Sequence, residues 1–183
     1  MIMKKCLMII CQGFEEIEAL GTVDILKRSD ISVELGTYNA SLTVKSQQGL
    51  RVKVDKYMSD VNLDDYDCLI IPGGRAVWEI LQKTPKVLEV IKDFNKKNKL
   101  IAAICAAPSL LEMAGLLTDV EFTCYPGCEQ GLGIRLNSGV HRAHNIITAK
   151  SAFYSIDFAL TIVEYLAGQE KAKETLKRIK GEQ

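Results

Sequence analysis

The apolar run Leu100–Ile104 leads directly into Cys105, and a helical pattern follows from about Pro108 (IAAICAAPSLLEMAG, residues 101–115). A thiol at the point where a strand gives way to a helix stands where a sharp turn can present a nucleophile. Ala102, Ala103, Ala106 and Ala107 leave the backbone room to pinch. The positive end of the following helix would favour the thiolate, and the Ala106 N–H would point toward an oxyanion forming on a bound carbonyl. The same surroundings suit a buried, inert cysteine, and the residues alone leave both readings open.

Two other segments end apolar runs with groups that could share a site with this thiol. GFEEIE, residues 13–18, supplies Glu15, Glu16 and Glu18 at the start of a helix, where the helix dipole favours acids without any catalytic role. Charge alone does not choose among the three, though a protonated carboxyl turned inward could donate a hydrogen bond to a thiolate. IIPGGR, residues 70–75, could offer a backbone N–H donor through Gly73 and Gly74, or serve only as a turn that needs positive φ. No phosphate-loop spacing is present. His141 and His144 fall in HRAH, read as a turn between two short strands and hence as surface histidines. Cys124 and Cys128 are the one close cysteine pair, and no further ligands at zinc-site spacing accompany them. No metal or cofactor is expected.

The elements that must position these groups alternate between short apolar runs and helical patterns. Strands are predicted at Lys5–Cys11, Ile31–Gly36, Cys68–Ile71 and Leu100–Ile104, with a hairpin over Leu42–Lys45 and Leu50–Val54. Helices are predicted over Glu15–Arg28 and Arg75–Gln82, and from Thr84–Pro85, where a capping residue precedes a first-turn proline. A further helix starts near Pro108, another covers Ser155–Ala167 up to Gly168, and a charged helix closes the chain. Glu121–Cys124 and short runs around His141–Ala143 read as later strands. Such alternation implies a doubly wound α/β sandwich, a mainly parallel sheet covered on both faces. In such sheets ligands sit at the carboxyl ends of strands, where all three segments lie.

Composition narrows the function classes. The 183 residues read as a single domain, 1–183, large enough for a core without staples. Basic and acidic residues number 23 each, so no basic stripe points to nucleic acid. The apolar N-terminal run is too short for a signal peptide and acids follow it closely, and no stretch reaches membrane-spanning length. A cytoplasmic protein with six reduced cysteines is expected.

Taken together, GFEEIEALGTVDILKR, YDCLIIPGG, LIAAICAAP and SIDFALTIVEYLAG resemble the ThiJ/PfpI superfamily, in its Parkinson-disease-protein and bacterial ThiJ-like branch. The resemblance runs in order over nearly the whole chain. It implies a flavodoxin-like three-layer sandwich with a nucleophile elbow, a homodimer, and a reactive Cys105 hydrogen-bonded by Glu18. It further implies that Gly74 and Ala106 form an oxyanion site and that Gly73 and Arg28 belong to the pocket. The activities implied are glyoxalase- or deglycase-type chemistry on small reactive carbonyls or their protein adducts. The alternative is a redox-sensing or chaperone-like stress role through Cys105 oxidation. This chain departs from the branch at Tyr125, where a histidine is often found; a phenol with a pKa of about 10 is no base near neutrality. It also departs at Gln48, where an arginine is often found, and at Ser151–Tyr154, a bulkier rim than the usual Gly-Pro-Gly-Thr. Ala106 replaces the histidine that follows the nucleophile in the peptidase branch, so peptidase activity is not expected. An amidotransferase-like subunit would need a histidine–glutamate pair acting on the thiol, and only HRAH with Glu121 or Glu129 could supply one.

Overall fold

The computed structural model describes residues 3–182. Eleven strands are present among them: β1 (Lys5–Ile9), β2 (Ser32–Thr37), β3 (Thr43–Lys45), β4 (Arg51–Lys53), β5 (Lys56–Tyr57), β6 (Cys68–Ile71), β7 (Leu100–Ile104), β8 (Glu121–Phe122), β9 (Ile134–Arg135), β10 (Val140–Ala143) and β11 (Ile146–Ala149). The α-helices are α1 (Thr22–Arg28), α2 (Ala76–Glu79), α3 (Pro85–Lys96), α4 (Pro108–Met113), α5 (Ser155–Ala167) and α6 (Gln169–Lys180).

Seven strands form one sheet in the order β10-β11-β7-β6-β1-β2-β5, parallel except for the β10–β11 pair. The central strands are apolar on both faces because both faces are covered. All five residues of β7 and all four of β6 are buried. Helices α1, α5 and α6 pack together, while α3 and α4 pack together against β6 and β7. This is the mixed α/β, flavodoxin-like fold, and the apolar runs around Cys68 and Leu100 coincide with their strands.

The chain leaves β1 through α1 toward β2, then returns to the other side of β1 as β6. Strand order therefore reverses between β1 and β6, and the crevice at their carboxyl ends is where such sheets bind ligands. GFEEIE follows β1, PGG follows β6 and Cys105 follows β7. The topology thus gathers the three segments on one rim.

Several local expectations are corrected. The helix expected over Glu15–Arg28 begins as a π-turn, Ile17–Gly21, before the α-helical Thr22–Arg28. Such wide turns interrupt the i→i−4 ladder and recur at functional sites. The Thr84 hydroxyl donates to the Ile80 carbonyl at 2.8 Å and does not cap α3, although Pro85 does open that helix. His141 lies within β10, and only His144 is at the turn, at φ 55°. The two-residue strands β5 and β9 were too short for any periodicity to register.

Candidate active site

The elbow is built into the backbone. Cys105 adopts φ 65°, a region that a non-glycine residue enters only when its surroundings impose it. Its N–H donates to the Ala149 carbonyl at 2.8 Å, and its carbonyl accepts from the Tyr125 N–H at 2.9 Å. These bonds anchor the residue between β11 and the segment after β8. Small neighbours permit the pinch: Ala106 and Ala107 are buried at the turn, and Pro108 opens α4.

Each of the three glutamates has a separate role. Glu15 Oε2 accepts the Glu18 N–H at 2.8 Å and steadies the turn. Glu16 is buried and accepts from the Ser46 hydroxyl at 2.7 Å and the Gln48 N–H at 2.9 Å, so it ties the β3–β4 hairpin to the site. Glu18, only 1% exposed, is aimed inward; its Oε2 accepts the Gly73 N–H at 2.7 Å, and its carboxyl lies beside Cys105, both bordering the space a Gly73 side chain would take. Its other oxygen, Oε1, is buried without a hydrogen-bond partner, which suits a carboxyl that carries a proton. Burial raises the Glu18 pKa to about 7 against the lowering by the Gly73 N–H and the thiol, and the Glu15 charge raises it further.

The thiol is also pushed up, opposite to the expected helix-dipole effect. Burial is the main cause and the Glu18 carboxylate adds to it, while only the Ala106 N–H pulls down. Helix α4 starts three residues beyond Cys105 and is six residues long, so its dipole is weak at the sulfur. Glu18 and Cys105 are therefore coupled through one proton. When Glu18 keeps that proton, the repulsion vanishes and the thiolate gains a donor.

The glycines are sterically required. A Cβ on Gly73 would stand 2.7 Å from Cys105 Cβ and 2.8 Å from Glu18 Oε2, so any side chain there would separate the pair. Gly74 sits at φ 90°, where a Cβ would strike the Gly13 carbonyl and approach the Glu15 nitrogen to 2.5 Å. Both neighbours are backbone and cannot move aside cheaply. Gly74→Ala is expected to cost about 3 kcal/mol of stability, readable as a lower urea midpoint with unchanged slope.

These groups open into a cleft of about 340 Å³ lined by Glu15, Glu18, Gly74, Cys105, Tyr125 and Cys128, with Trp78 and Phe153 on its rim. Two depressions of about 600 Å³ lie elsewhere on the surface, and neither is lined by a cysteine. Of the expected pocket residues, Arg28 is not in the cleft. It ends α1, exposed, with its Nε 2.7 Å from Asp24. Gln47, not Gln48, faces the cleft, and Ser151–Phe153 form part of its wall. Tyr125 lines the opening but is half exposed. His141 does pair with Glu121, at 3.9 Å, yet neither lines the cleft, so the amidotransferase arrangement is not formed. Among the described residues no group of three or more His, Cys, Asp or Glu is placed to hold a metal ion, and no helix is long and apolar enough to cross a membrane. Sequence reasoning left Cys128 without a role, because nothing in CYPGC shows which way its loop folds.

The chain is 32% identical to the Parkinson disease protein 7 homolog of Danio rerio, over 93% of this chain and 94% of the relative. It is 34% identical to the glutathione-independent glyoxalase DJR-1.2 of Caenorhabditis elegans, covering 89% and 88% of the two chains. The crystal structure of Drosophila melanogaster DJ-1beta superposes with a TM-score of 0.92 at 29% identity, covering 97% of this chain and 98% of that one. The model of the DJ-1/PfpI family matches residues 4–165, and the chain belongs to that family.

Proposed function

We propose that the protein is a cysteine-dependent enzyme acting on small reactive carbonyls, in a glyoxalase- or deglycase-type reaction. The observation that carries this reading is the inward Glu18 carboxyl, raised to about 7 by burial and set beside the strained Cys105. With the proton on Glu18, the Cys105 thiolate adds to an aldehyde carbon. A C–S bond forms, the carbonyl π electrons move to oxygen, and the Ala106 and Gly74 N–H groups hold that oxygen. Glu18 gives it the proton; the resulting carboxylate then moves the carbon-bound proton to the neighbouring carbon of a dicarbonyl while the hydroxyl proton passes to the neighbouring oxygen, leaving a 2-hydroxy thioester. Water hydrolyses the thioester and frees the thiol, so methylglyoxal becomes lactate. The glyoxalase name of the nematode relative supports this substrate class. A protein adduct of the same carbonyl would enter by the same carbon.

The test is lactate formation from methylglyoxal without glutathione, followed from pH 5 to 9. Activity is expected to rise through about pH 7, as the first proton leaves the Glu18–Cys105 pair, and then to level. A rate independent of pH across that window would exclude the shared-proton scheme. Tyr125→Phe is expected to change turnover by less than about threefold, because its half-exposed ring lines the cleft opening while the proton transfers of the scheme fall to Glu18.

A second reading, a redox-sensing or chaperone-like role through Cys105 oxidation, is supported by the absence of histidine from the cleft wall. Protonated Glu18 would then donate to a sulfinate oxygen. Ile17, Leu50, Phe153 and Ile156 are among the exposed apolar side chains; we assign them to a homodimer contact, and we place this single-domain protein in the cytoplasm.

A further inference from the structure

The cleft that holds Cys105 is lined by a second thiol. Cys128 faces the same space, is partly exposed, and is free, as Cys105 is. Its loop is pinned on both sides. Upstream, the Tyr125 N–H is given to the Cys105 carbonyl at 2.9 Å, and the Cys128 N–H to the Tyr125 carbonyl at 3.0 Å. Downstream, the buried Glu112 carboxylate accepts the N–H groups of Gln130 at 2.6 Å, Leu132 at 3.0 Å and Gly133 at 3.2 Å. Between these anchors Gly127 lies at φ 84°, so the backbone turns there without a side chain to obstruct it. Two chain-to-chain hydrogen bonds thus link the nucleophile to a thiol 23 positions later. Burial and the Glu129 charge push the Cys128 thiol up, and Arg135 offsets part of that rise.

We infer that Cys128 is a resolving cysteine for Cys105, and that the protein reduces hydroperoxides through a reversible Cys105–Cys128 disulfide. The inference rests on the nucleophilic Cys105 of the proposed function, but on none of its carbonyl chemistry. The Cys105 thiolate attacks the distal oxygen of the hydroperoxide; an S–O bond forms, the O–O bond breaks, and the leaving alkoxide takes the Glu18 proton. The Cys128 thiolate then attacks the Cys105 sulfur. The S–S bond forms, the S–O bond breaks, and hydroxide leaves as water with a solvent proton. One hydroperoxide is reduced by two electrons to an alcohol and water, and two thiols become one disulfide. A small-molecule dithiol restores them. Cys124 is the competing partner, since it precedes Cys128 by four residues, but it is fully buried, outside the cleft wall, with its sulfur 3.8 Å from Glu129.

The test is mass spectrometry of the full-length protein after two equivalents of hydrogen peroxide, enough to take one thiol to sulfinate, with acid quench and non-reducing peptide mapping. The wild type is expected to lose two hydrogens, to link the Cys105 and Cys128 peptides, and to recover fully with dithiothreitol. Cys124→Ser should do the same. Cys128→Ser and Cys128→Ala should carry Cys105 on to sulfinate that dithiothreitol does not reverse, raising that fraction about tenfold. Equal sulfinate in wild type and Cys128→Ser, or a Cys124–Cys128 disulfide, would overturn the inference. Iodoacetamide labelling of the reduced protein separates the two readings. If Cys105 is alkylated readily while no disulfide forms, only the resolving role fails. If Cys105 resists both reagents, the nucleophile itself fails.

Discussion

Cys105→Ser is expected to lower methylglyoxal turnover on the order of 10³-fold or more while leaving the fold intact. The two halves of that expectation have different causes. Serine differs from cysteine by one atom and tolerates the turn as well. Its hydroxyl can still receive the Ala106 N–H and meet Glu18, so thermal stability should move by no more than about 1 kcal/mol. Chemistry is another matter. An alcohol is far harder to ionise than a thiol, and no imidazole lines the cleft to remove its proton. Glu18, titrating at about 7, cannot generate an alkoxide. Far-ultraviolet circular dichroism and thermal denaturation would verify the fold, and a coupled lactate assay the loss. Turnover within tenfold of wild type would mean that the carbonyl carbon is never bonded to sulfur.

The sheet could be read from the chain because its central strands are buried on both faces and carry unbroken apolar runs. CLII and LIAAI, alternating with helical patterns, read as interior strands of a covered parallel sheet, and their order placed three loops on one rim. Other features were not written in local pattern. That Glu18, rather than Glu15 or Glu16, faces the thiol depends on the π-turn at Ile17–Gly21, which no periodicity announces. The sign of the thiol perturbation depends on three-dimensional burial, so a strand-to-helix junction alone suggested the wrong direction. Arg28 illustrates the limit of resemblance: its position is retained, yet in this chain it pairs with Asp24 outside the cleft. Cys128 lines the cleft in a loop held by contacts no local pattern shows, the Tyr125 N–H on Cys105 and three amides on Glu112.

Glu18→Gln is expected to make the protein more stable above neutrality and nearly inactive. The wild-type carboxyl has its pKa raised from 4.5 to about 7, chiefly by burial. Below about pH 4.5 folded and unfolded chains both hold the proton, so the neutral carboxyl contributes its full stability. Between there and about 7 the unfolded chain ionises while the folded chain resists, and stability falls as pH rises. Above 7 both are ionised and the loss is complete, at about 3 kcal/mol. Glutamine copies the protonated state. Its oxygen can accept the Gly73 N–H, and its amide can donate toward the sulfur, but it never ionises. At pH 8 the variant should therefore melt about 5–10 °C above wild type, with little difference at pH 5. Turnover should fall about 10²- to 10³-fold, because glutamine neither takes nor gives the proton that carbon and oxygen exchange. Paired melting curves at pH 5 and 8 with lactate kinetics decide the matter. A variant less stable than wild type at pH 8 would show that the site favours the carboxylate, and the shared proton would have to be abandoned. Gain of stability with loss of turnover would instead locate the cost of function in one buried charge.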